Sequence, residues 1–332
     1  MQQPALPRLV VSNYDFAPED RTRIEDALGA GRLVLVRGRD ALHDALTAHP
    51  DCDVVCSFFP PADTLTLAPH LRWIALPSAG ADHVLRNGLA QPGGPVVTTS
   101  SGIHAVPIGE FALSLMLMWA RHWPTMIDLQ RAATWPDHAG RETLEGGELS
   151  GATLGIIGLG AIGRYIARLG RAFGMRIIAT RRSATRGQRD PDADILVPPD
   201  QLGDLLAAAD YVIVSVPATA ETRHIIGAEE LRQMRRNTFL INISRGSTVD
   251  EEALVAALRD GTIAGAGLDV FATEPLPTVS PLWRLPNVIL SPHVAGNTDQ
   301  YSRRFTDLFL DNLARFRAGE PLRNVVDPQR GY

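Results

Sequence analysis

Three side chains with acid–base or anion-binding chemistry lie far apart in the second half of the chain: Arg245, Glu274 and His293. A guanidinium can bind a carboxylate through two parallel hydrogen bonds and polarise the carbonyl group beside it. An imidazole can give a proton to a carbonyl oxygen. A carboxylate next to that imidazole orients the ring and favours its protonated form. Together these groups suit the reduction of a 2-oxo acid, although each residue alone is more often structural or solvated.

A glycine-rich segment upstream supplies a second component. Gly158, Gly160 and Gly163 follow an apolar run at 153–157 and precede a helical pattern at 161–173. In a strand–loop–helix unit such glycines allow a tight turn, close approach of the backbone to a pyrophosphate, and close helix–strand packing. The free N–H groups at the helix N-terminus can then bind the pyrophosphate. We therefore predict a dinucleotide site here; the alternative is a glycine-rich turn without a ligand.

The residues that follow the next predicted strand, 176–180, bear on which nicotinamide dinucleotide binds. An acid at this place would accept the ribose hydroxyls of NAD. The strand is instead followed by Arg181 and Arg182. Arginine binds phosphate through paired hydrogen bonds, whereas an acid would repel it. We predict NADP(H), with both arginines on the 2′-phosphate; NAD(H) is the alternative if the two are only solvated surface residues.

The elements that must position these groups alternate between apolar and amphipathic runs. Strands are predicted at 8–11, 32–36, 53–57, 72–76 and 95–99, and again at 153–157, 176–180, 211–216, 238–243, 264–269 and 287–291. This alternation indicates an α/β fold with two doubly wound parallel sheets.

Two long helices, at about 104–121 and about 297–318, flank the second block of strands. Since the last helix follows that block, it is expected to return to the first block. The prediction is a discontinuous substrate domain, 1–103 with 297–332, around a dinucleotide-binding domain, 104–296.

Composition excludes several classes of function. The formal net charge is −5, which gives no basic field for nucleic acid or an anionic membrane. All 32 basic residues are arginine, so a Schiff-base or Walker-A lysine is excluded. Cys52 and Cys56 cannot frame a disulfide scaffold or a zinc site, and are expected on one face of a buried strand. No metal site is predicted. With no signal peptide or spanning segment indicated, the cytoplasm is the expected compartment.

In their order along the chain, several motifs resemble those of the D-isomer-specific 2-hydroxyacid dehydrogenase family. They lie at 158–163, 242–246, 265–270, 274–277, 280–283 and 291–296. The resemblance implies a Rossmann-type cofactor domain inserted into a split, flavodoxin-like substrate domain. It also implies a homodimer formed through the cofactor domain.

The resemblance carries roles to individual residues. It implies that Arg245, Glu274 and His293 are catalytic, and that Arg245 and His293 also bind the substrate. The substrate carboxylate is expected on the backbone of the loop Ser78, Ala79 and Gly80, whose small residues would also expose N–H groups to an anion. The expected cofactor contacts, besides the three glycines and two arginines, are Ala161, Ile162, Val216, Thr222, Ile243, Asp269 and Gly296.

The choice of substrate rests on fewer residues. The stretch 101–107 looks like that of NADP-using glyoxylate/hydroxypyruvate reductase-like members of the family. Position 274 is Glu, whereas members that resemble formate dehydrogenases have Gln there, so hydride removal from formate is disfavoured. The expected substrate is therefore a small 2-oxo acid such as glyoxylate or hydroxypyruvate. Phe58 and Phe59 either line the pocket mouth and disfavour a phosphorylated substrate, or belong to a packed loop. Two rival functions are a non-catalytic dinucleotide-sensing module and a phosphite-type dehydrogenase.

Overall fold

The computed structural model describes residues 7–329. Within them the chain divides into two compact units, which we call the split unit (7–104 and 298–329) and the inserted unit (105–297). Each division lies one residue beyond the position expected from the sequence. Residues 1–6 and 330–332 of the expected substrate domain lie outside the described residues.

The split unit contains a five-stranded sheet whose strand pairs are all parallel. Its strands are β1 (Val10–Ser12), β2 (Leu33–Leu35), β3 (Val54–Cys56), β4 (Trp73–Ala75) and β5 (Val96–Thr98). Its helices are α1 (Pro18–Leu28), α2 (Arg39–Ala48), α3 (Thr64–Leu67), α4 (Asp82–Arg86) and, from the end of the chain, α12 (Tyr301–Ala318). The strand order β2-β1-β3-β4-β5 is that of flavodoxin-like folds.

Alternate residues of this sheet are buried on opposite faces. Val11 and Val55 belong to the core that contains Leu42 of α2, whereas Val54 and Trp73 belong to the core that contains α1 and α12. The Trp73 ring stacks on Phe309 of α12 with ring centroids 5.1 Å apart. Helix α12, together with α1, therefore covers one face of a sheet whose strands come from the first hundred residues.

The two cysteines do not share a face, so that prediction was wrong. Cys56 ends β3 in the core under α1 and α12, whereas Cys52 lies in the turn before β3 and packs in the core under α2. The turn breaks the alternation on which the prediction rested. Both thiols are free and buried, and burial raises the pKa of each to about 12.

The segment after α12 completes the other edge of the split unit. Val325 forms an antiparallel bridge with Thr98 of β5, and the Val326 amide donates to the Val97 carbonyl at 2.8 Å. The Asn324 side chain donates to the carbonyls of Thr99 and Ser101 at 3.2 and 2.8 Å. The split unit is thus closed by residues more than two hundred positions away in sequence.

The inserted unit contains a parallel seven-stranded sheet. Its strands are β6 (Thr153–Ile157), β7 (Arg176–Thr180), β8 (Ile195–Val197), β9 (Tyr211–Val214), β10 (Phe239–Asn242), β11 (Gly265–Leu268) and β12 (Val288–Leu290). Its helices are α5 (Ala105–Ala120), α6 (Trp123–Arg131), α7 (His138–Glu142), α8 (Ala161–Ala172), α9 (Leu202–Ala208), α10 (Ala228–Gln233) and α11 (Glu251–Arg259). The order β8-β7-β6-β9-β10-β11-β12 is the Rossmann order with one strand added, so the expected fold class is confirmed.

Helices cover both faces of this sheet. Met116 of α5 and Ile166 of α8 share a core with the face of β6 that carries Ile156. Leu205 of α9 and Leu254 of α11 belong to the core on the opposite face. Among the described residues, no helix is both long and apolar enough to cross a membrane.

The differences from the predicted elements have local causes. Strand β8 was missed because its three apolar residues are flanked by polar loops, and α6 and α7 were missed because neither helix has a buried residue that would give an apolar stripe. Helix α12 begins at Tyr301 rather than near 297. The Asn297 and Tyr301 amides each bond to the carbonyl three residues before, which makes turns there instead of helix.

Candidate active site

Arg245 is held at the carboxyl end of β10 by polar groups of its own segment. The Asn242 side chain donates to the Arg245 carbonyl at 3.1 Å, and the Thr248 hydroxyl donates to the same oxygen at 2.7 Å. The guanidinium Nη1 donates to the Ser244 carbonyl at 2.8 Å. Arg245 itself is half-buried. The backbone of the predicted carboxylate-binding residue is therefore fixed before any ligand arrives.

The next residue, Gly246, brings a second loop against this segment. A Cβ at Gly246 would lie 1.9 Å from the carbonyl carbon and oxygen of Phe271, so only glycine lets the two backbones pass this closely. The loop that follows β11 contains both Phe271 and Glu274. The glycine in the Arg-Gly pair thus places the loop of the predicted acid beside the strand end of the predicted arginine.

Glu274 and His293 form the pair that the sequence suggested. The Glu274 Oε2 lies 2.7 Å from the His293 Nδ1, and its Oε1 accepts from the Phe271 amide at 3.0 Å. An ionised carboxylate can only accept, so Nδ1 carries the proton in this pair. The Nε2 atom is then the ring nitrogen left to exchange a proton with a substrate. Both side chains keep access to solvent, with 36% and 46% of their surfaces exposed.

A buried carboxylate holds the loop that contains His293. Asp269 is 2% exposed and accepts from the Ser291 hydroxyl at 2.7 Å and from the Val294 and Ala295 amides at 2.9 and 3.0 Å. The His293 amide donates to the Asp269 carbonyl at 2.9 Å. His293 has a φ of 54°, in the left-handed region that costs a non-glycine residue roughly 1–2 kcal/mol. The bonds to Asp269 oppose that cost.

The sequence analysis missed this role of Asp269, because by resemblance it placed the residue on the cofactor. The available signal was an acid at the end of an apolar strand, five residues before the acid that pairs with His293, with no basic residue nearby. The expected contact between Asp269 and the nicotinamide or ribose stays a prediction.

The three glycines of the predicted cofactor loop have different surroundings. Gly158 has a φ of 102°, and a Cβ there would lie 2.9 Å from the Ser215 carbonyl oxygen. A Cβ at Gly163 would lie 2.2 Å from the Gly158 carbonyl oxygen. Gly160 is extended and has nothing within 4 Å of such an atom. Packing explains the first and third glycines, whereas the second leaves an open approach to the N-terminus of α8.

The other expected cofactor residues lie at the same carboxyl edge of the sheet. Ala161 and Ile162 begin α8, Val216 follows β9, Ile243 follows β10, and Gly296 ends the His293 loop. The Thr222 hydroxyl donates to the Pro217 carbonyl at 2.6 Å and so closes the loop after β9. In open α/β sheets ligands bind at this edge. The geometry groups these residues, and their contacts with a cofactor stay predictions.

Arg181 has an acidic neighbour that the sequence around it does not show. The Arg181 Nη1 lies 3.4 Å from the Asp190 Oδ2, and Asp190 reaches it from the loop that joins β7 to β8. Arg182 is exposed. Their contact with a 2′-phosphate stays a prediction.

In the split unit the predicted carboxylate loop follows β4. The Ser78 hydroxyl donates to the Gly80 carbonyl at 2.8 Å, and the Ser78 carbonyl accepts from the Ser100 amide at 2.9 Å. Ala79 is exposed. The loop therefore has a fixed backbone with an accessible residue at its centre.

An aromatic group lies at the same edge of the split unit. The Tyr301 hydroxyl donates to the Pro77 carbonyl at 2.6 Å and lies 3.0 Å from the His104 Nε2. Phe58 packs near Tyr301, with ring centroids 6.2 Å apart, whereas Phe59 is 64% exposed. Phe58 is therefore packed within its loop, as one alternative held, whereas Phe59 presents an apolar surface to solvent. Among residues 7–329, no three His, Cys, Asp or Glu side chains lie close enough together to hold a metal ion.

Comparison with known proteins identifies the family. The model of the "D-isomer specific 2-hydroxyacid dehydrogenase, NAD binding domain" matches residues 113–295. The glyoxylate reductase of Korarchaeum cryptofilum is 36% identical over 285 residues, which cover 84% of each chain.

Two solved structures are similar over nearly the whole chain. The D-isomer-specific 2-hydroxyacid dehydrogenase of Xanthobacter autotrophicus Py2, in complex with NADPH and MES, has a TM-score of 0.81 at 29% identity, covering 98% of this chain and 100% of that one. The NADPH-dependent glyoxylate/hydroxypyruvate reductase of Sinorhizobium meliloti, in complex with NADP and sulfate, has a TM-score of 0.80 at 27% identity, covering 97% and 99%. Fold, motifs and relatives agree that the chain belongs to the D-isomer-specific 2-hydroxyacid dehydrogenase family of NAD(P)-dependent oxidoreductases.

Proposed function

We propose that the protein reduces a small 2-oxo acid, such as glyoxylate or hydroxypyruvate, to the D-2-hydroxy acid with NADPH. The observation that carries this proposal is the 2.7 Å pair of Glu274 and His293, at the sheet edge that also carries the glycine loop. The names of the relatives favour these substrates, because they include glyoxylate reductase and glyoxylate/hydroxypyruvate reductase.

The residues of the inserted unit fit a nicotinamide dinucleotide. The open approach at Gly160 and the first amides of α8, from Ala161 and Ile162, would hold the pyrophosphate. Val216, Thr222, Ile243, Asp269 and Gly296 would line the nicotinamide and its ribose. When bound, the cofactor supplies the hydride. NADPH is proposed over NADH because Arg181 and Arg182 follow β7, and because similar solved structures contain NADPH or NADP.

The side chains have separate tasks in this proposal. Arg245 binds the substrate carboxylate and polarises the neighbouring carbonyl. His293 gives the proton on Nε2 to the carbonyl oxygen, while Glu274 holds Nδ1 and stabilises the imidazolium before transfer. In the split unit, the loop Ser78, Ala79 and Gly80 is the proposed second anchor for the substrate carboxylate.

We also propose a homodimer formed through the inserted unit. Helices α6 and α7 contain no buried residue, and Trp123 and Trp135 are 48% and 85% exposed. Exposed tryptophans are frequent anchors of protein interfaces. Sedimentation velocity should give twice the chain mass, and Trp135→Ala should weaken the association.

The cytoplasm is the proposed compartment, since both cysteines are free thiols.

The test is the loss of NADPH absorbance, and separately of NADH absorbance, with glyoxylate, hydroxypyruvate, pyruvate and phosphohydroxypyruvate. We expect turnover with the two small acids first named, and higher efficiency with NADPH than with NADH. Binding of NADPH without turnover of any acid would favour the dinucleotide-sensing module. Reduction of NADP⁺ or NAD⁺ with phosphite alone would favour the phosphite-type dehydrogenase.

A further inference from the structure

One face of α8 carries three arginines at helical spacing. Arg164, Arg168 and Arg171 are separated by four and three residues, so they lie along the same side of the helix. Arg164 directly follows Gly163, the last glycine of the cofactor loop, and its amide donates to the Gly160 carbonyl at 2.9 Å. This row therefore begins within the first turn of the helix whose N-terminus would bind the pyrophosphate.

The loop between β7 and β8 places two acids, Asp190 and Asp192, against this row of arginines. Arg164 donates from Nη1 and Nη2 to the two carboxylate oxygens of Asp190 at 2.7 and 2.8 Å, and from Nη1 to Asp192 at 2.8 Å. Arg168 donates from Nε to Asp192 at 2.9 Å. Arg171 donates to the Pro191 carbonyl at 2.7 Å. The loop is thus fixed to α8 by charge-assisted hydrogen bonds, which are stronger than neutral ones.

Asp190 lies near the cofactor loop, but its carboxylate cannot accept the ribose hydroxyls of NAD as an acid after β7 would. Its side chain is 5% exposed, and both oxygens already accept from Arg164. The same contact lowers the pKa of Asp190 to about 2, so the carboxylate is charged at every pH of an assay. A paired, buried carboxylate has no free oxygen to offer the ribose hydroxyls, and Arg164 offsets its negative charge.

The same carboxylate also touches Arg181. The Arg181 Nη1 lies 3.4 Å from the Asp190 Oδ2, and 29% of the Arg181 side chain is exposed. Asp190 therefore stands between two guanidiniums, one on α8 and one at the end of β7. Arg164, Arg168 and Arg181 bring three positive charges against the two negative charges of Asp190 and Asp192, so this cluster keeps one net positive charge.

We propose that Asp190 is a positioning residue for recognition of the 2′-phosphate. The Asp190 carboxylate orients Arg181 at the end of β7, and Arg164 neutralises the negative charge of that carboxylate. This inference rests on the proposed preference for NADPH. The alternative is that Asp190 acts only as a clamp, a residue whose bonds stabilise the loop between β7 and β8. A clamp would affect all dinucleotides alike, whereas a positioning residue changes the discrimination between ligands with and without the 2′-phosphate.

The experiment is calorimetric binding of ADP-ribose and of 2′-phospho-ADP-ribose to the full chain, which needs no turnover. The Asp190→Asn variant should lose about tenfold in affinity for the phosphorylated probe, as expected for loss of a charge-assisted hydrogen bond, and little for ADP-ribose. Arg164→Gln should lose at least as much, because the Asp190 charge is then left to repel the phosphate. The double variant should recover part of that loss.

Asp194→Asn is the matched control. Asp194 lies in the same loop and pairs with Arg171 at 3.2 Å, but it is four residues from Asp190, and its bonds are with Arg171 and the Ile177 amide. It should leave the ratio of the two affinities unchanged. Thermal midpoints of all variants would identify any that unfold, in which case Arg164→Gln carries the test in place of Asp190→Asn.

The outcomes separate this inference from the proposed function. If the unaltered protein does not distinguish the two probes, the preference for NADPH is wrong, and the role of Asp190 is overturned with it. If it prefers the phosphorylated probe but Asp190→Asn and Arg164→Gln keep the same ratio, the proposed function survives and Asp190 is only a clamp. A ratio that falls in both variants and not in Asp194→Asn supports the positioning role.

Discussion

The two ends of the seven-stranded sheet each hold a loop with buried carboxylates, but with different partners. At the β12 end, Asp269 accepts from one hydroxyl and two backbone amides, all uncharged. At the β8 end, Asp190 and Asp192 accept mainly from guanidiniums of α8. Backbone donors fix the path of the chain, which suits a loop that must keep His293 in a left-handed conformation. The guanidinium donors, with Arg181 included, carry one more positive charge than the carboxylates they bind, which suits a loop expected to lie beside an anion.

The largest effect is expected at the β12 end, from His293→Ala. Loss of the proton donor should lower turnover by about 10²–10⁴-fold. Binding of ADP-ribose should change little, because the substitution leaves the glycine loop and the residues after β7 unaltered. Steady-state kinetics and calorimetry measure the two quantities. The control is His70→Ala, an exposed histidine of the split unit, which should leave both unchanged. Near-normal turnover in His293→Ala would remove His293 from the reaction.

Asp269→Asn tests whether uncharged donors really hold the β12 loop. The amide replaces one acceptor oxygen by a donor that faces a hydroxyl or backbone amide, so a buried group loses its partner. The free energy of unfolding should fall by about 1–3 kcal/mol. Turnover should fall as well, because His293 loses the anchor of its backbone. Thermal unfolding with kinetics checks both. Full turnover in a folded variant would separate Asp269 from the positioning of His293.

Gly160→Ala tests the glycine loop between the two ends. An added Cβ meets nothing within 4 Å, and the backbone is extended, so the thermal midpoint should stay within about a degree of the original. Affinity for ADP-ribose should fall about tenfold, because the methyl group would occupy the approach of the pyrophosphate. Gly246→Ala is the contrasting variant: its Cβ would overlap the Phe271 backbone, so stability should fall instead. Unchanged ADP-ribose affinity in Gly160→Ala would remove the pyrophosphate from this loop.

The smallest effect concerns the β8 end and acid. The pKa of Asp190 is lowered from an ordinary 3.8 to about 2 by Arg164. A carboxyl group whose pKa is lower when folded stabilises the fold above its unfolded pKa, and this contribution is lost as pH falls from about 4 towards 2. Arg164→Gln should therefore be less stable than the original at pH 6, with the difference shrinking towards pH 2. Circular dichroism melts at several pH values measure this. Arg86→Gln, which removes an exposed pair, should show a small difference at every pH.

The contrast between the ends also explains what the sequence could predict. Arg245, Glu274 and His293 were identified because each lies within a few residues of a strand that is itself visible as an apolar run. Asp190 and Asp192 were not, because they are separated from Arg164 by 26 and 28 residues, and no periodicity connects an arginine on a helix to an acid in a later loop.

The same limit applies to the fold. The two parallel, doubly wound sheets followed from the alternating elements, since parallel strands need crossovers of a recognisable length. The Rossmann-type and flavodoxin-like domains followed from the resemblance. The β8 strand and the exposed helices α6 and α7 did not follow, because their residues bury too little apolar surface to produce a pattern. The role of Asp269 required knowing that β11 and β12 are neighbours, which only pairing reveals.

The late closure of the split unit has a consequence for synthesis on the ribosome. Residues 105–297 emerge as a continuous stretch and contain every strand of their own sheet, so this unit can finish folding while translation continues. The five strands made earlier must wait, since Phe305 and Phe309 of α12 and the bridge at Val325 come from the last tenth of the chain. Until then the nascent chain exposes the Trp73 face of its first sheet. The segment that is translated first, 7–104, is thus the segment whose packing is completed last.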